Sequence, residues 1–249
     1  MIAFIPVAGY ATRLHPVTLN TPKALLQVGQ KPMIEHVFEK IAELPGIEKV
    51  VIVSNHIFFK HFSDWVKKIQ SNTSIPIVLL DDHTTSNENR LGAIGDFKFS
   101  IEKEKIDSDV IWVSGDNLFT FSLKEMQQDF ESKRKDCVGC FDVKSKEEAK
   151  KMGIVTVNSD SKVTGFVEKP ANPLSTLASC GIYFYTRETI RSIQNYLAEG
   201  NSSDKPGTFL EWLYKKKTVY GFVFDKPKDE WFDIGSLEVL NAVQTRFKN

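Results

Sequence analysis

Met1–Gly29 reads MIAFIPVAGYATRLHPVTLNTPKALLQVG. Ile2 to Val7 form an unbroken apolar run, the pattern of a parallel strand buried on both faces. The run stops at Ala8-Gly9. A loop of small residues follows, carrying Arg13 and, after Pro22, Lys23. A hydrophobic strand that delivers two cations on a loop is suited to a polyphosphate. Backbone N–H groups from Gly9 to Thr12 can line the phosphates while Arg13 and Lys23 neutralise charge that builds up during transfer. The same residues also suit an ordinary strand–turn with two solvated cations.

The rest of the first half repeats the strand-then-helix rhythm. Strands are expected at Lys49–Ser54, Ile75–Leu80, Asp109–Val113 and Cys137–Val143, with helices at Pro32–Leu44, Phe58–Gln70, Gly92–Lys105 and Leu123–Lys133. Pro32 suits a first helical turn and Gly46 follows that helix. This alternation is the pattern of an α/β protein with a Rossmann-like, doubly wound sheet and helices on both faces. Ligands of such sheets gather at the carboxyl ends of the strands, so the loops after Val7, Leu80 and Val113 are the candidate walls of a site. From Gly153 the pieces shorten: strands at Gly153–Val157, Val163–Glu168, Gly181–Tyr185 and Thr218–Phe224, then helices at Glu188–Ala198, Thr208–Lys216 and Ser236–Phe247. These read as mixed sheet extending the core, with a small C-terminal sub-lobe. One domain over residues 1–249 is expected, without a linker.

Composition narrows the function classes. The chain has 249 residues, 41% hydrophobic and 26% charged, which is ordinary for a globular protein. Lys+Arg and Asp+Glu balance at 32 each, so neither nucleic acid nor a membrane surface is an expected partner, and any anion site must be local. No basic region precedes a long apolar stretch, and no window approaches ~18 apolar residues, so a cytoplasmic location is expected. Cys137 and Cys140 have the spacing of half a zinc site, but no second ligand pair accompanies them. On a strand, positions three apart face opposite sides, so both are expected to be core thiols.

Asp116, in Ser114-Gly115-Asp116-Asn117, stands just beyond a strand end, and Asp233 lies in Trp231-Phe232-Asp233-Ile234-Gly235. Either acid also suits a humbler role, Asp116 in a turn and Asp233 as a helix cap. Together they suit Mg²⁺, which binds through few protein oxygens and takes the rest from phosphate and water. Glu168-Lys169-Pro170 ends a strand with an acceptor for hydroxyls and a point charge for phosphate, although Lys-Pro is also a common turn.

These motifs, in this order, resemble the sugar nucleotidyltransferase family, which includes glucose-1-phosphate thymidylyl- and uridylyltransferases. The resemblance runs through Val7–Thr18, Thr21–Leu26, Lys31–Ile34, Ser114–Asn117, Met152–Val155, Glu168–Pro170, Gly181–Tyr185 and Trp231–Gly235. It implies attack by a sugar-1-phosphate oxygen on the α-phosphorus of a nucleoside triphosphate, giving an NDP-sugar and pyrophosphate. Arg13 and Lys23 would be catalytic. Ala8, Gly9, Tyr10, Ala11, Thr12, Arg90 and Gly92 would bind the NTP, mainly within residues 1–150. Asn117, Gly153, Glu168, Lys169 and Gly181 would bind the sugar phosphate, mainly within residues 151–249. Asp116 and Asp233 would hold Mg²⁺. A homodimer is one assembly open to such a chain.

The chain departs from the family pattern in three places. Ala11 replaces a loop glycine, and since alanine disfavours φ > 0 the turn is expected to use an alanine-compatible geometry. Asn89-Arg90-Leu91-Gly92-Ala93-Ile94 stands where many members have Gly-Thr-Ala-Gly-Ala-Ile, so Arg90 either reaches a ligand or braces the loop Asp81–Asn89. Little chain follows the Trp-Phe-Asp-Ile-Gly motif. Two alternatives stay open: a cytidylyltransferase for a non-sugar phosphate such as phosphocholine, and a catalytically silent nucleotide-binding relative. A P-loop or NAD-binding protein is excluded by pattern, since no Gly-Lys-Ser/Thr follows a glycine loop and no G-x-G-x-x-G opens the first helix.

Overall fold

The computed structural model describes residues 1–247. The chain opens with strand β1 (Ile2–Pro6), and two short strands, β2 (Gln27–Val28) and β3 (Lys31–Pro32), follow the Arg13/Lys23 loop. Helix and strand then alternate through α1 (Met33–Ala42), β4 (Lys49–Ser54), α2 (Phe59–Gln70), β5 (Ile77–Asp81), α3 (Ala93–Glu104) and β6 (Val110–Val113). Strand β7 (Asn117–Phe119) leads to α4 (Lys124–Lys133), β8 (Asp136–Asp142) and the single turn α5 (Lys146–Ala149). The second half holds β9 (Gly153–Val157), β10 (Val163–Glu168), β11 (Leu177–Tyr185), α6 (Arg187–Ala198), α7 (Pro206–Lys216), β12 (Val219–Phe224), β13 (Trp231–Asp233) and α8 (Leu237–Arg246).

Nine strands form one sheet. Its main path runs β10-β9-β11-β6-β1-β4-β5, with β8 paired to both β11 and β12. Strands β1, β4, β5 and β6 are parallel, β12 is parallel to β8, and β11 runs antiparallel to β6 and β8. The mixed sheet expected from the sequence is thus present, with β9 to β12 inside it.

The doubly wound character follows from side-chain alternation. Ala3, Ile5, Val50, Ile52, Ile111 and Val113 pack on one face with α1, α2 and α4. Ile2, Phe4, Val51, Val53, Val110 and Trp112 pack on the other with α3, α6 and α7. A strand apolar at every position can be buried only when helices cover both faces. The cysteines obey the same rule: Cys137 packs on the first face and Cys140 on the second, both buried as free thiols. They cannot share a metal.

Pro32 and the start of β11 differ from the sequence expectation. Pro32 is not in the first turn of α1; it is extended at φ −69°, ψ 155° and pairs with Gln27. Strand β11 starts at Leu177, four residues before the expected Gly181, because Gly181 lies at a register shift within the strand. A left-handed glycine inside a strand reads in sequence as a boundary, whereas it marks a bulge.

The C-terminal sub-lobe is not built from the C-terminus alone. Leu240 and Val243 of α8, together with Ile234, pack on Leu26, Val28, Met33 and Leu118. Strand β13 pairs with β7, setting Asp233 opposite Asn117. This pairing carries the C-terminal segment back to the strand ends where the first loop lies.

Candidate active site

The loop after β1 is held in a conformation that its sequence disfavours. Ala11 sits at φ 47°, ψ 41°, the left-handed region, so the expectation of an alanine-compatible turn was wrong. The backbone of Leu14 and the hydroxyl of Thr18 both donate to the Ala11 carbonyl, each at 2.9 Å, and the Leu14 side chain is buried. These contacts hold a backbone that costs an L-residue about 1–2 kcal/mol. Ala11→Gly is therefore expected to raise stability by up to about 1 kcal/mol, the relieved strain being partly offset by unfolded-state entropy. Urea denaturation checks this, and a lowered midpoint would contradict the strain. The short 3₁₀ turn Thr12–Leu14 leaves Arg13 exposed, without an ion-pair partner among the described residues.

Opposite this loop is the turn after β6. A Cβ on Gly115 would come within 2.4 Å of Val7 Cγ1, so only glycine lets the turn lie against the end of β1. The next residue, Asp116, accepts a hydrogen bond from Lys23 Nζ at 2.7 Å. Withdrawal from water in the cleft pushes the Asp116 carboxyl up, but the Lys23 ammonium, its hydrogen bond and the Arg13 charge outweigh that and hold it below its usual range. Asp233 behaves oppositely. Desolvation and then the negative charge of Asp116 raise it, against the pull of Lys23, Arg13 and Lys169. Two acids and three cations therefore share one electrostatic neighbourhood.

A cleft of about 490 Å³ opens here. Its lining includes Ala8 to Arg13, Lys23, Arg90, Gly92 and Asp116, all candidates from sequence. Walls come from the loops after β1, β5 and β6, the three expected. Asp233 lies just outside the lining, although Ile234 and Gly235 belong to it.

Arg90 spans the mouth, its Nε donating to Asp204 Oδ1 at 3.1 Å and its guanidinium to the Asn87 carbonyl at 2.7 Å. It thus braces its own loop while facing the cleft. Gly92, at φ 81°, docks α3 on the α6–α7 connection: a Cβ there would meet the Ser203 carbonyl oxygen at 2.5 Å. The backbone N–H groups of Ala93 and Ile94 donate to the Asp204 and Ser203 carbonyls, so this helix N-terminus is already satisfied.

The remaining candidates lie outside the cleft lining. Gly153 pairs with Glu168 across the β9–β10 hairpin, and a Cβ on it would strike the Phe166 ring at 2.7 Å. Glu168 accepts from Lys205 Nζ at 3.1 Å, and Lys169 follows with its backbone N–H donating to the Met152 carbonyl at 2.9 Å. Asn117 is 5% exposed, its amide committed to the Cys180 carbonyl. Gly181, at φ 67°, lies against it: a Cβ would come within 2.7 Å of Asn117 Nδ2 and 2.8 Å of Ser114 Oγ. Both residues brace the turn that presents Asp116.

Sequence reasoning missed Asp96, Trp112 and Asp204 in the lining, and Lys205 beside Glu168. An acid in the first turn of a helix reads as a helix-dipole partner, which hides Asp96. Asp204 and Lys205 follow Asn201-Ser202-Ser203, which reads as a turn.

The sequence profile of the nucleotidyl transferase family matches residues 2–249. Among curated relatives, a UTP–glucose-1-phosphate uridylyltransferase of Haloferax volcanii is 28% identical over 189 residues, 75% of this chain and 72% of that protein. A mannose-1-phosphate guanyltransferase of Aspergillus oryzae is 30% identical over 237 residues, 92% of this chain but 62% of that longer protein. Several other relatives are longer still, the chain spanning about half of their length. Among solved structures, a UDP-glucose pyrophosphorylase complexed with UDP-glucose shares the fold with a TM-score of 0.83 at 20% identity, over 99% of this chain and 97% of that one. A profile match across almost the whole length, on a fold that brings Arg13, Lys23 and Asp116 to one cleft with Asp233 at its edge, places this chain in the nucleotidyl transferase family.

Proposed function

We propose that the protein transfers a nucleotidyl group from a nucleoside triphosphate to a sugar-1-phosphate. An acceptor phosphate oxygen forms a bond to the α-phosphorus as the α–β bridge breaks, and pyrophosphate leaves carrying the charge. The nucleophile is already anionic, so no general base is required, and catalysis comes from alignment and charge neutralisation. The observation that carries this reading is the Lys23–Asp116 contact at 2.7 Å facing the exposed Arg13 across one cleft.

In this reading Arg13 steadies the triphosphate and the departing pyrophosphate. Lys23 turns from Asp116 to the reacting phosphates. The N–H groups around Gly9 line the phosphates, Glu168 accepts from sugar hydroxyls, and Lys169 holds the acceptor phosphate. Residues 1–150 then serve mainly the NTP and residues 151–249 mainly the acceptor.

Asp116 and Asp233 fit a Mg²⁺ ion. They are neighbouring carboxylates, one raising the other's proton affinity, and an oxygen-only pair matches the preference of that hard cation. When bound, the ion supplies neutralisation of phosphate charge. Among the described residues no helix is long and apolar enough to cross a membrane.

The test is a matrix of pyrophosphate release, each common NTP against a panel of sugar-1-phosphates and phosphocholine, with and without EDTA. Release with a sugar-1-phosphate, lost in EDTA, is the expected result. Release with phosphocholine alone would move the reading to a cytidylyltransferase. NTP binding without release for any acceptor would make the chain a silent relative.

A further inference from the structure

The cleft floor holds a carboxyl group that the phosphate chemistry does not use, Asp96, with a second, Asp82, buried beside it. Asp96, in the first turn of α3, lines the cleft yet is only 5% exposed, and Asp82, directly after β5, is 6% exposed. Asp96 Oδ1 and Asp82 Oδ2 are both buried without a hydrogen-bond partner. Two adjacent buried acids with one orphaned oxygen each are mutually satisfied if one proton lies between them.

The surrounding hydrogen bonds favour Asp96 as the seat of that proton. The backbone N–H of Thr84 donates to Asp82 Oδ1 at 2.7 Å, and the Thr84 hydroxyl donates to the same oxygen at 2.8 Å. With the threonine proton used there, the Tyr10 hydroxyl, 3.1 Å from Thr84 Oγ1, is the donor in that pair. Every bond in the chain from Tyr10 to Thr84 to Asp82 therefore points at Asp82, the pattern of an ionised acceptor. Asp96 keeps the proton, donates it to Asp82 Oδ2, and leaves its other oxygen as a neutral acceptor toward the cleft. Burial, then the Asp82 charge, push the Asp96 carboxyl up to about 8. The titratable groups facing it are Asp82 from the segment after β5 and Tyr10 from the loop after β1, with the Arg90–Asp204 pair at the mouth.

We propose that this proton-sharing pair reads the nucleobase, Asp96 accepting a ring N–H flanked by carbonyls, the imide edge of uracil or thymine. This rests on the nucleotidyl-transfer reading above and deepens it. The physical reason is charge. An ionised carboxylate accepts an N–H well but repels the neighbouring carbonyl oxygen, whereas a neutral acceptor tolerates it. Adenine and cytosine present a bare ring nitrogen beside their amino group, and the Asp96 proton, held on Asp82, is not available to it. Asp96 is thus a specificity-determining residue at the far end of the NTP from the phosphates.

Calorimetric binding of UTP and ATP to the full chain between about pH 6.5 and about pH 9 tests this, because the ratio of affinities cancels titration of the triphosphate. The expected result is a preference for UTP that falls about tenfold as pH rises through about 8, the cost of setting a carboxylate against the uracil carbonyl beside the N–H. Asp96→Asn, whose amide keeps a carbonyl toward the cleft and an N–H toward Asp82, is expected to abolish the transition. Asp96→Leu is expected to abolish the preference, and Asp82→Asn to move the transition to lower pH. A preference for ATP, or a transition that survives in Asp96→Asn, overturns the proposal while leaving the transfer reading intact. Absence of NTP binding at every pH would overturn both.

Discussion

Asp116→Asn is expected to reduce metal-dependent pyrophosphate release by about 10²–10³-fold while the fold is retained. The substitution keeps the shape of the side chain and removes its charge. Asp116 stands where Lys23 reaches it at 2.7 Å, and its charge is also the second largest influence raising Asp233. The neutral amide weakens cation binding at the acid pair and leaves Lys23 without its counter-ion. Asp233 then ionises more easily, which only partly restores the lost charge. Stability is expected to change little, because the Asp116 side chain is 46% exposed and its ion pair is screened by water. The sign of that small term is set by the depressed Asp116 carboxyl: its stabilisation is present at neutral pH and is lost as pH falls through the folded value. Titrating release against Mg²⁺ for both proteins reads the effect, and near-wild-type rates would remove Asp116 from the reacting site.

Away from the cleft, Asp136→Ala is expected to lower stability by about 3 kcal/mol. Asp136 begins β8 with no exposed surface and receives the backbone N–H of Thr186 at 2.7 Å, its hydroxyl at 3.1 Å, and the Thr189 hydroxyl at 2.7 Å. Lys217 Nζ is 3.0 Å away. The carboxylate thus satisfies the start of α6 and holds the charge at the end of α7 beside the start of β8. Alanine strands the Thr186 N–H and takes the carboxylate from two hydroxyls and an ammonium, with a small cavity beneath them. Urea unfolding measures the loss, and a drop below about 1 kcal/mol would show that water replaces the acid at low cost.

The features legible in sequence share one physical property, short-range periodicity. Ile2–Val7 and Lys49–Ser54 are apolar at both phases of a strand, so they demanded helices on both faces. Phe59–Gln70 repeats its apolar residues at helical spacing, and that helix was found within one residue of its expected start. Cys137 and Cys140 were assigned to opposite sides of the sheet by the same parity. Short elements escaped, because two or three residues cannot display a period. Strands β2, β3, β7 and β13 owe their existence to partners distant in the chain.

The site was legible as residue types and illegible as geometry. The packing gives glycines 92, 153 and 181 a steric reason that no local pattern shows: Ser203, Phe166 and Asn117 leave no room for a Cβ. Arg90 was left between two roles, and its bonds to Asp204 and Asn87 show it bracing the loop at the rim of the cleft.

By itself the sequence determined the doubly wound sheet and the three loops that wall the cleft, because these follow from apolar periodicity and from chain reversal at strand ends. Only the tertiary structure decided that Ala11 would be left-handed, that Asp233 would reach Asp116 through the β13–β7 pairing, and that Asp82 and Asp96 would meet in the floor. Each of those depends on contacts between segments far apart in the chain, whose combined packing and hydrogen bonding outweigh the local preference of any one residue.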